Sequence, residues 1–285
     1  MSAALSQCRL LGTVFAAVML AMAPAGAADS PPQRVVSINL CTDQMAMLMA
    51  TPGQLRSVSF LATEKGTSMM ADEAAHYRLN HGQAEEILLM QPDLVLAGAY
   101  TAKATVSLLK ELGFRVEQFK PATTFDDVRI SLIRMGSLLH REQRAAELVA
   151  ELDQGLSDLT AHKMPARNAA FYYANSYTSG SGTLADAIVK AAGLTNVGET
   201  LGFKGMTRLP LELLVAAHPD IIIEGDSQYS APALAKENFV HPAFKALSSR
   251  IVPIPDKYTI CGAPFTLEAS RMLQRAVLGQ DGEGR

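Results

Sequence analysis

The chain repeats one 14-residue pattern at an interval of 127 residues. EEILLMQPDLVLAG begins at Glu85 and ELLVAAHPDIIIEG begins at Glu212. In both copies Glu precedes an apolar stretch, a Pro-Asp pair and an aliphatic run that ends in glycine. Proline cannot continue a helix, and a short aliphatic run is typical of a strand buried on both faces. Each copy therefore predicts a helix, a turn and a strand, and the repetition predicts two similar α/β halves.

Outside the repeat, predicted strands alternate with predicted helices, which is typical of parallel, wound sheets. We interpret 39–43 and 175–182 as polar loops and 61–83 as irregular, with Thr42 or Asp43 capping the helix that follows the first loop. The remaining predicted strands are 34–38, 57–60, 115–119, 168–173 and 250–254, and the remaining predicted helices are 44–50, 102–112, 183–192 and 266–278.

The segment between the two halves contains few helix breakers from Phe125 to His162. Thr124 is a suitable N-cap, and the pattern predicts a split near His140 followed by a helix from Glu142 to Thr160. At 1.5 Å per residue that helix would be roughly 30 Å long, which is enough to join two lobes. The predicted organisation is an N-terminal α/β lobe at 28–122, a helical connector at 123–164 and a second α/β lobe at 165–285.

The first 27 residues have the features of a signal peptide. Arg9 precedes an uncharged apolar run at 10–22, and Ala25-Gly26-Ala27 offers a small-residue cleavage site. The apolar run is too short to cross a bilayer. We expect cleavage near Ala27/Ala28 and export to the periplasm. The mature chain would then carry a net charge of −4, because the removed segment contains one Arg and no acid. No basic patch is present, so nucleic acid is not an expected partner.

Processing would leave two cysteines, Cys41 and Cys261, in an oxidising compartment. Three interpretations are open: a disulfide between the halves, two buried thiols, or soft ligands to a bound metal complex. The six histidines show no tight ligand spacing, so the sequence predicts no resident metal site. It has neither a G-x-S-x-G elbow nor an H-E-x-x-H motif, which leaves a secreted hydrolase as a remote alternative.

Five segments resemble a known family in their order and spacing. They are RVVSINLCTDQ, AEEILLMQPDLVLAG, GTLADAIVKAAGLTNVGE, LPLELLVAAHPDIIIEG, and HPAFKAL followed by RIVPIP. Together they resemble the periplasmic substrate-binding proteins that capture cobalamin and iron–siderophore complexes for ABC importers. The resemblance implies a class III fold, with two Rossmann-like lobes, one long interdomain helix and little lobe movement. It also implies a monomer that is not an enzyme and has no cofactor of its own, although the ligand would carry cobalt or iron. A heme-binding or metal-ion-binding transport protein is the alternative.

The same resemblance implies that one exposed acid on each lobe docks on arginines of an inner-membrane permease. Glu85 and Glu212 match those acids best, and Glu86 competes for the first position. A plainer interpretation is that each Glu complements the dipole of its helix, which contributes about 0.3–1 kcal/mol.

Ligands of wound sheets bind at the carboxyl ends of the strands, so we expect the loops there to line the cleft. Aromatic faces with polar tips suit large planar ligands, and several of these loops contain tyrosine. An alternative is that these tyrosines are ordinary half-exposed loop residues. The predicted ligand-binding residues are Asn39, Cys41, Thr42, Tyr100, Asn175, Tyr177, Gln228, Tyr229 and Tyr258.

Overall fold

A computed structural model describes residues 30–225 and 234–279. Pro31–Arg285 clusters as one compact unit, and both lobes belong to it. The predicted signal peptide and two predicted ligand residues, Gln228 and Tyr229, lie outside the described residues.

The first lobe is a five-stranded sheet with helices. Its strands are β1 Val35–Ser37, β2 Leu55–Ser59, β3 Arg78–Asn80, β4 Leu94–Gly98 and β5 Val116–Phe119, and its helices are α1 Leu40–Met49, α2 Ala71–Ala74, α3 Ala84–Met90 and α4 Lys103–Glu111. The strand order is β3-β2-β1-β4-β5, and every neighbouring pair is parallel. All five carboxyl ends therefore share one edge.

The connector consists of two helices, α5 Phe125–Leu139 and α6 Glu142–Ala161. The predicted split is confirmed, because His140 ends α5 in the left-handed region with φ 55°. Near the start of α6, Arg144 Nε donates to the carbonyl of Leu48 in the first lobe. Near its end, the carbonyl of Leu159 accepts from Gln274 of the second lobe. The helix α6 thus spans both lobes.

The second lobe contains a parallel sheet and a short antiparallel ribbon. Its strands are β6 Asn168–Phe171, β7 Tyr177–Ser179, β8 Thr195–Asn196, β9 Met206–Arg208, β10 Ile221–Gly225 and β11 Arg250–Ile254, and its helices are α7 Leu184–Ala191, α8 Val197–Thr200, α9 Leu211–Ala217, α10 Glu237–Val240, α11 Pro242–Lys245 and α12 Leu267–Leu278. The sheet order is β11-β10-β6-β8, and β7 pairs with β9.

One contiguous apolar core connects the two sheets. It includes Leu94 of the first sheet, Leu132 and Leu148 of the connector, and Phe171 of the second sheet, all almost completely buried. Since interiors are packed as densely as organic crystals, a shared core of this kind restricts movement of one lobe relative to the other.

The repeated Pro-Asp pair anchors each repeat to a central strand. The carboxylate of Asp93 accepts two backbone N–H groups just before β1, at 2.9 Å each. The carboxylate of Asp220 likewise accepts the N–H of Asn168 in β6 at 2.9 Å, and this bond lowers the pKa of Asp220. Left-handed residues, Gln91 and His218, end the two preceding helices. The pattern is thus repeated because it builds the same junction in each lobe.

The structure corrects the start of the first helix. Residues 39–43 are not a loop, because α1 begins at Leu40 rather than at residue 44. Asn39, not Thr42 or Asp43, is the N-cap, and its side chain accepts from the N–H of the second helical residue. The predicted ligand residues of this segment therefore lie at the start of a helix and not in a loop.

Two further segments are more regular than predicted. The stretch 175–182 contains β7, and the stretch 61–83 contains α2 and β3. The elements β8, α8 and β9 were not predicted. They are two to four residues long, which is too short for a hydrophobic period to be visible.

Candidate ligand-binding cleft

A cavity of about 210 Å³ lies at the carboxyl edge of the first sheet and is closed by residues of the second lobe. Its walls come from the start of α1, the ends of β4 and β5, one side of α5, and the segment 260–262. Four predicted ligand residues are among those that line it: Asn39, Cys41, Thr42 and Tyr100. Tyr100 is at the mouth, with 88% of its surface exposed.

The final glycine of each repeat makes room for a polar side chain at the end of its strand. A Cβ on Gly98 would lie 2.7 Å from Asn39 Nδ2, and a Cβ on Gly225 would lie 2.5 Å from Asp256 Oδ1. In each lobe a polar side chain from another part of the chain therefore lies against the strand end. Asp256 was not among the predicted ligand residues.

A disulfide joins Cys41 of α1 to Cys261 of the second lobe. It is one of the three arrangements that the sequence left open. The neighbouring Gly262 also meets the first lobe, because a Cβ there would lie 2.5 Å from the Cβ of Ala122. The two lobes are therefore linked beside the cavity by a covalent bond and by close backbone packing, in addition to α6.

The three predicted ligand residues of the second lobe that the structure describes do not line this cavity. Asn175 lies in a short turn with φ 56°. Tyr177 lies on β7, where the guanidinium of Arg208 is 5.8 Å from its ring centroid. Tyr258 is half-buried against the core, and the amine of Lys257 is 5.4 Å from its ring centroid. Ligand contact by these three residues stays a prediction.

The geometry distinguishes the two acids that compete for the docking position. Glu86 accepts the backbone N–H of His81 at 2.7 Å and also meets its ring, and the backbone bond lowers the pKa of Glu86. Glu85 and Glu212 are each the second residue of their helix and are exposed. Neither has a hydrogen-bond or ion-pair partner within 30–225 and 234–279. Glu86 thus stabilises the start of α3, whereas Glu85 is free for an external contact.

A family comparison decides the class of protein. The model of the family described as "Periplasmic binding protein" matches residues 61–242, which is more than half of the chain. The chain belongs to this family. Proteins of this family are periplasmic, so membership implies an exported location.

Relatives of this periplasmic binding protein include a cobalamin-binding protein of Halobacterium salinarum. The two are 28% identical over 204 residues, which are 70% of this chain and 55% of the relative. The chain therefore spans about half the length of the curated relatives it matches.

Solved structures share the fold. The periplasmic heme-binding protein HutB of Vibrio cholerae superposes with a TM-score of 0.71 at 18% identity, covering 86% of this chain and 98% of HutB. The vitamin B12-binding protein BtuF of Vibrio cholerae superposes with a TM-score of 0.65 at 17% identity, covering 89% and 99%. The predicted class III fold, with two Rossmann-like lobes joined by a long helix, is confirmed.

Two features are absent from the residues that the structure describes. None of their helices has both the length and the hydropathy needed to span a bilayer. Nor do any three His, Cys, Asp or Glu side chains among them converge in an arrangement that could hold a metal ion.

A buried carboxyl group lies in the first turn of α1 of this binding protein. Asp43 is fully buried and accepts a hydrogen bond from the hydroxyl of Ser59. Burial raises the pKa of Asp43 to about 7, although the hydroxyls of Ser37 and Ser59 act in the opposite direction. The second carboxyl oxygen has no hydrogen-bond partner in the described part of the chain. In the folded protein Asp43 therefore stays protonated to a higher pH than in the unfolded chain, where its carboxyl deprotonates near pH 4.

We expect this carboxyl to make stability decrease as pH rises. Its stabilising effect is complete below the unfolded pKa near 4 and is lost as pH passes through the folded pKa of about 7. The difference is at most about 4 kcal/mol. Melting temperatures of the wild type should fall between pH 5 and pH 8, whereas those of Asp43→Asn should fall less. Asp72→Asn, at an exposed acid of α2, is the control. Parallel curves for wild type and Asp43→Asn would contradict the assignment.

Proposed function

We propose that this protein is the periplasmic solute-binding component of an ABC importer. It captures a metal-chelate ligand, cobalamin or a ferric siderophore, in the interlobe cleft and delivers it to the permease. The observation that carries the proposal is that residues of both lobes meet around a cavity at the strand carboxyl ends, which marks one part of the interlobe cleft. Family membership and a cobalamin-binding relative support the class of ligand. The chelate would bring its own cobalt or iron.

Heme is the second candidate ligand. Tyr100 is highly exposed at the mouth of the cavity, and a tyrosine oxygen is one of the axial ligands that proteins offer to heme iron. The fold is also that of a heme-binding protein.

The proposal includes the layout of the mature protein. It begins near Ala28 and acts as a monomer, with lobes at 28–122 and 165–285 and a connector at 123–164. Glu85 and Glu212 dock on the permease, and Asn175, Tyr177 and Tyr258 contribute to the ligand surface of the second lobe. Gln228 and Tyr229 complete the proposed set.

Titration of the mature protein with cyanocobalamin, ferrichrome and hemin tests the function. The chain contains no Trp, so quenching of tyrosine fluorescence, corrected for absorption by the ligand, reports binding without a tryptophan signal. We expect one chelate to raise the melting temperature, since ligand at 100 times its Kd stabilises by about 2.7 kcal/mol. Iron-free ferrichrome and iron-free protoporphyrin are the matched controls for the last two. A protein that none of the chelates stabilises would contradict the proposal, and turnover of ester substrates would favour the hydrolase.

A further inference from the structure

The cavity beside the disulfide is too small for a whole metal chelate. Its volume is about 210 Å³, whereas sites that hold complete small molecules have roughly 300–1,000 Å³. An apolar cavity of about 150 Å³ is already enough for a benzene molecule. The size therefore suits a single ring or two fused rings.

The lining of the cavity is mainly apolar and suits an aromatic group. Met45 lines it from α1, Phe119 from the end of β5, and Ile260 from the second lobe. Thioether sulfur and ring edges both make favourable contacts with an aromatic face. The hydroxyl of Thr42 is already engaged, because it donates to the carbonyl of Asn39 at 3.0 Å.

Asn39 offers a polar group of this lining to a ligand, beside those of Tyr100, Lys120 and Ser131. The Oδ1 of Asn39 accepts from the N–H of Cys41 at 3.1 Å, which fixes the amide and leaves its Nδ2 group as a donor. That Nδ2 lies over Gly98 and has no acceptor among the residues the structure describes. A ring that carries a hydrogen-bond acceptor would satisfy it.

The position of the opposite wall is fixed. Ile260 and Gly262 flank Cys261, which is bonded to Cys41 on the facing wall. The shape of the cavity is therefore set before a ligand arrives, and preorganisation of this kind favours affinity because little is ordered on binding.

We propose that this cavity is a subsite for a compact aromatic ring system, one ring or two fused rings, that bears a hydrogen-bond acceptor and projects from the captured chelate. The inference rests on the proposed function for the identity of the chelate. The subsite itself consists of the apolar walls, the Asn39 donor and the disulfide-fixed segment.

The test uses Ser131→Leu, which fills the cavity from α5, and Ser137→Leu, which adds the same side chain at an exposed position of the same helix. Each protein is titrated with cyanocobalamin, which carries a fused benzimidazole, and with dicyanocobinamide, which lacks it. We expect Ser131→Leu to lose about 10-fold or more in affinity for cyanocobalamin and to bind cobinamide like Ser137→Leu. Equal affinity of both variants for cyanocobalamin would overturn the subsite.

Two further arms separate the subsite from folding and from the proposed function. Asn39→Asp keeps an oxygen to cap α1 but removes the donor, so it should fold and weaken the binding of free benzimidazole, whose unprotonated ring nitrogen is an acceptor, by about 10-fold. Free benzimidazole should raise the melting temperature of the wild type and of Ser137→Leu but not of Ser131→Leu. If no chelate binds the wild type, the proposed function fails, and the benzimidazole result alone decides the subsite. No benzimidazole effect on the wild type would overturn it.

Discussion

Combined Glu85→Arg and Glu212→Arg substitutions will abolish ligand uptake and leave ligand binding unchanged. Both acids are exposed in the first turns of equivalent helices. Neither has a hydrogen-bond or ion-pair partner among the described residues, so their substitution breaks no described contact. Against the basic permease surface that the proposed function requires, reversal of both charges turns attraction into repulsion, which slows encounter and costs several kcal/mol. A loss of about 3 kcal/mol would weaken docking about 100-fold. Uptake of labelled ligand by cells that express the variant measures the effect.

Two variants separate docking from general charge effects. Glu111→Arg reverses an exposed charge in the last turn of α4, at the end of the lobe away from the cleft, and should transport normally. Glu86→Gln weakens the bond to the His81 backbone and should lower stability slightly without changing uptake. Normal uptake by the double variant would remove Glu85 and Glu212 from the docking role.

Loss of the Cys41–Cys261 disulfide will lower the melting temperature by about 10 °C. The bond joins residues 220 positions apart, and the chain-entropy model gives about 5 kcal/mol for a loop of this size, with 2–5 kcal/mol typical of measured cases. A change of 1 kcal/mol shifts the melting temperature of a protein of this size by about 2–4 °C. Calorimetry of the double variant Cys41→Ser and Cys261→Ser gives the value.

A reductant provides the internal control. Tris(carboxyethyl)phosphine should lower the melting temperature of the wild type toward that of the double serine variant and leave the variant unchanged. The double substitution is needed because either single change would leave a reactive thiol. Equal melting temperatures for the oxidised wild type and the variant would show that α6 and the shared core hold the lobes without the disulfide.

The repeated pattern predicted two parallel α/β halves, because a helix, a Pro-Asp turn and a buried strand are typical of parallel sheets, whereas the class III arrangement was implied by the family resemblance. The start of α6 at Glu142 and the cap at Thr124 were also visible, since both depend on local signals. The elements β8 and β9 were not, because their two- or three-residue strands depend on neighbours that are distant in sequence.

Less of the candidate site could be predicted. Position in the loops at strand ends was enough to select Asn39, Thr42 and Tyr100, which do line one cavity. The contact of Asp256 with Gly225 depends on a strand-to-strand approach that spacing does not reveal. Likewise, only the position of His81 shows that Glu86 is engaged and Glu85 is not.

The core that runs through both sheets and the connector has a consequence for how this protein can be dissected. If the chain were cut between α5 and α6 and the two fragments were separated, apolar side chains such as Leu132 and Leu148 would lose their packing partners. Neither fragment would then retain a complete interior. Denaturant should accordingly unfold the protein in a single cooperative step, and the two halves, although alike in sequence pattern, are not separable modules.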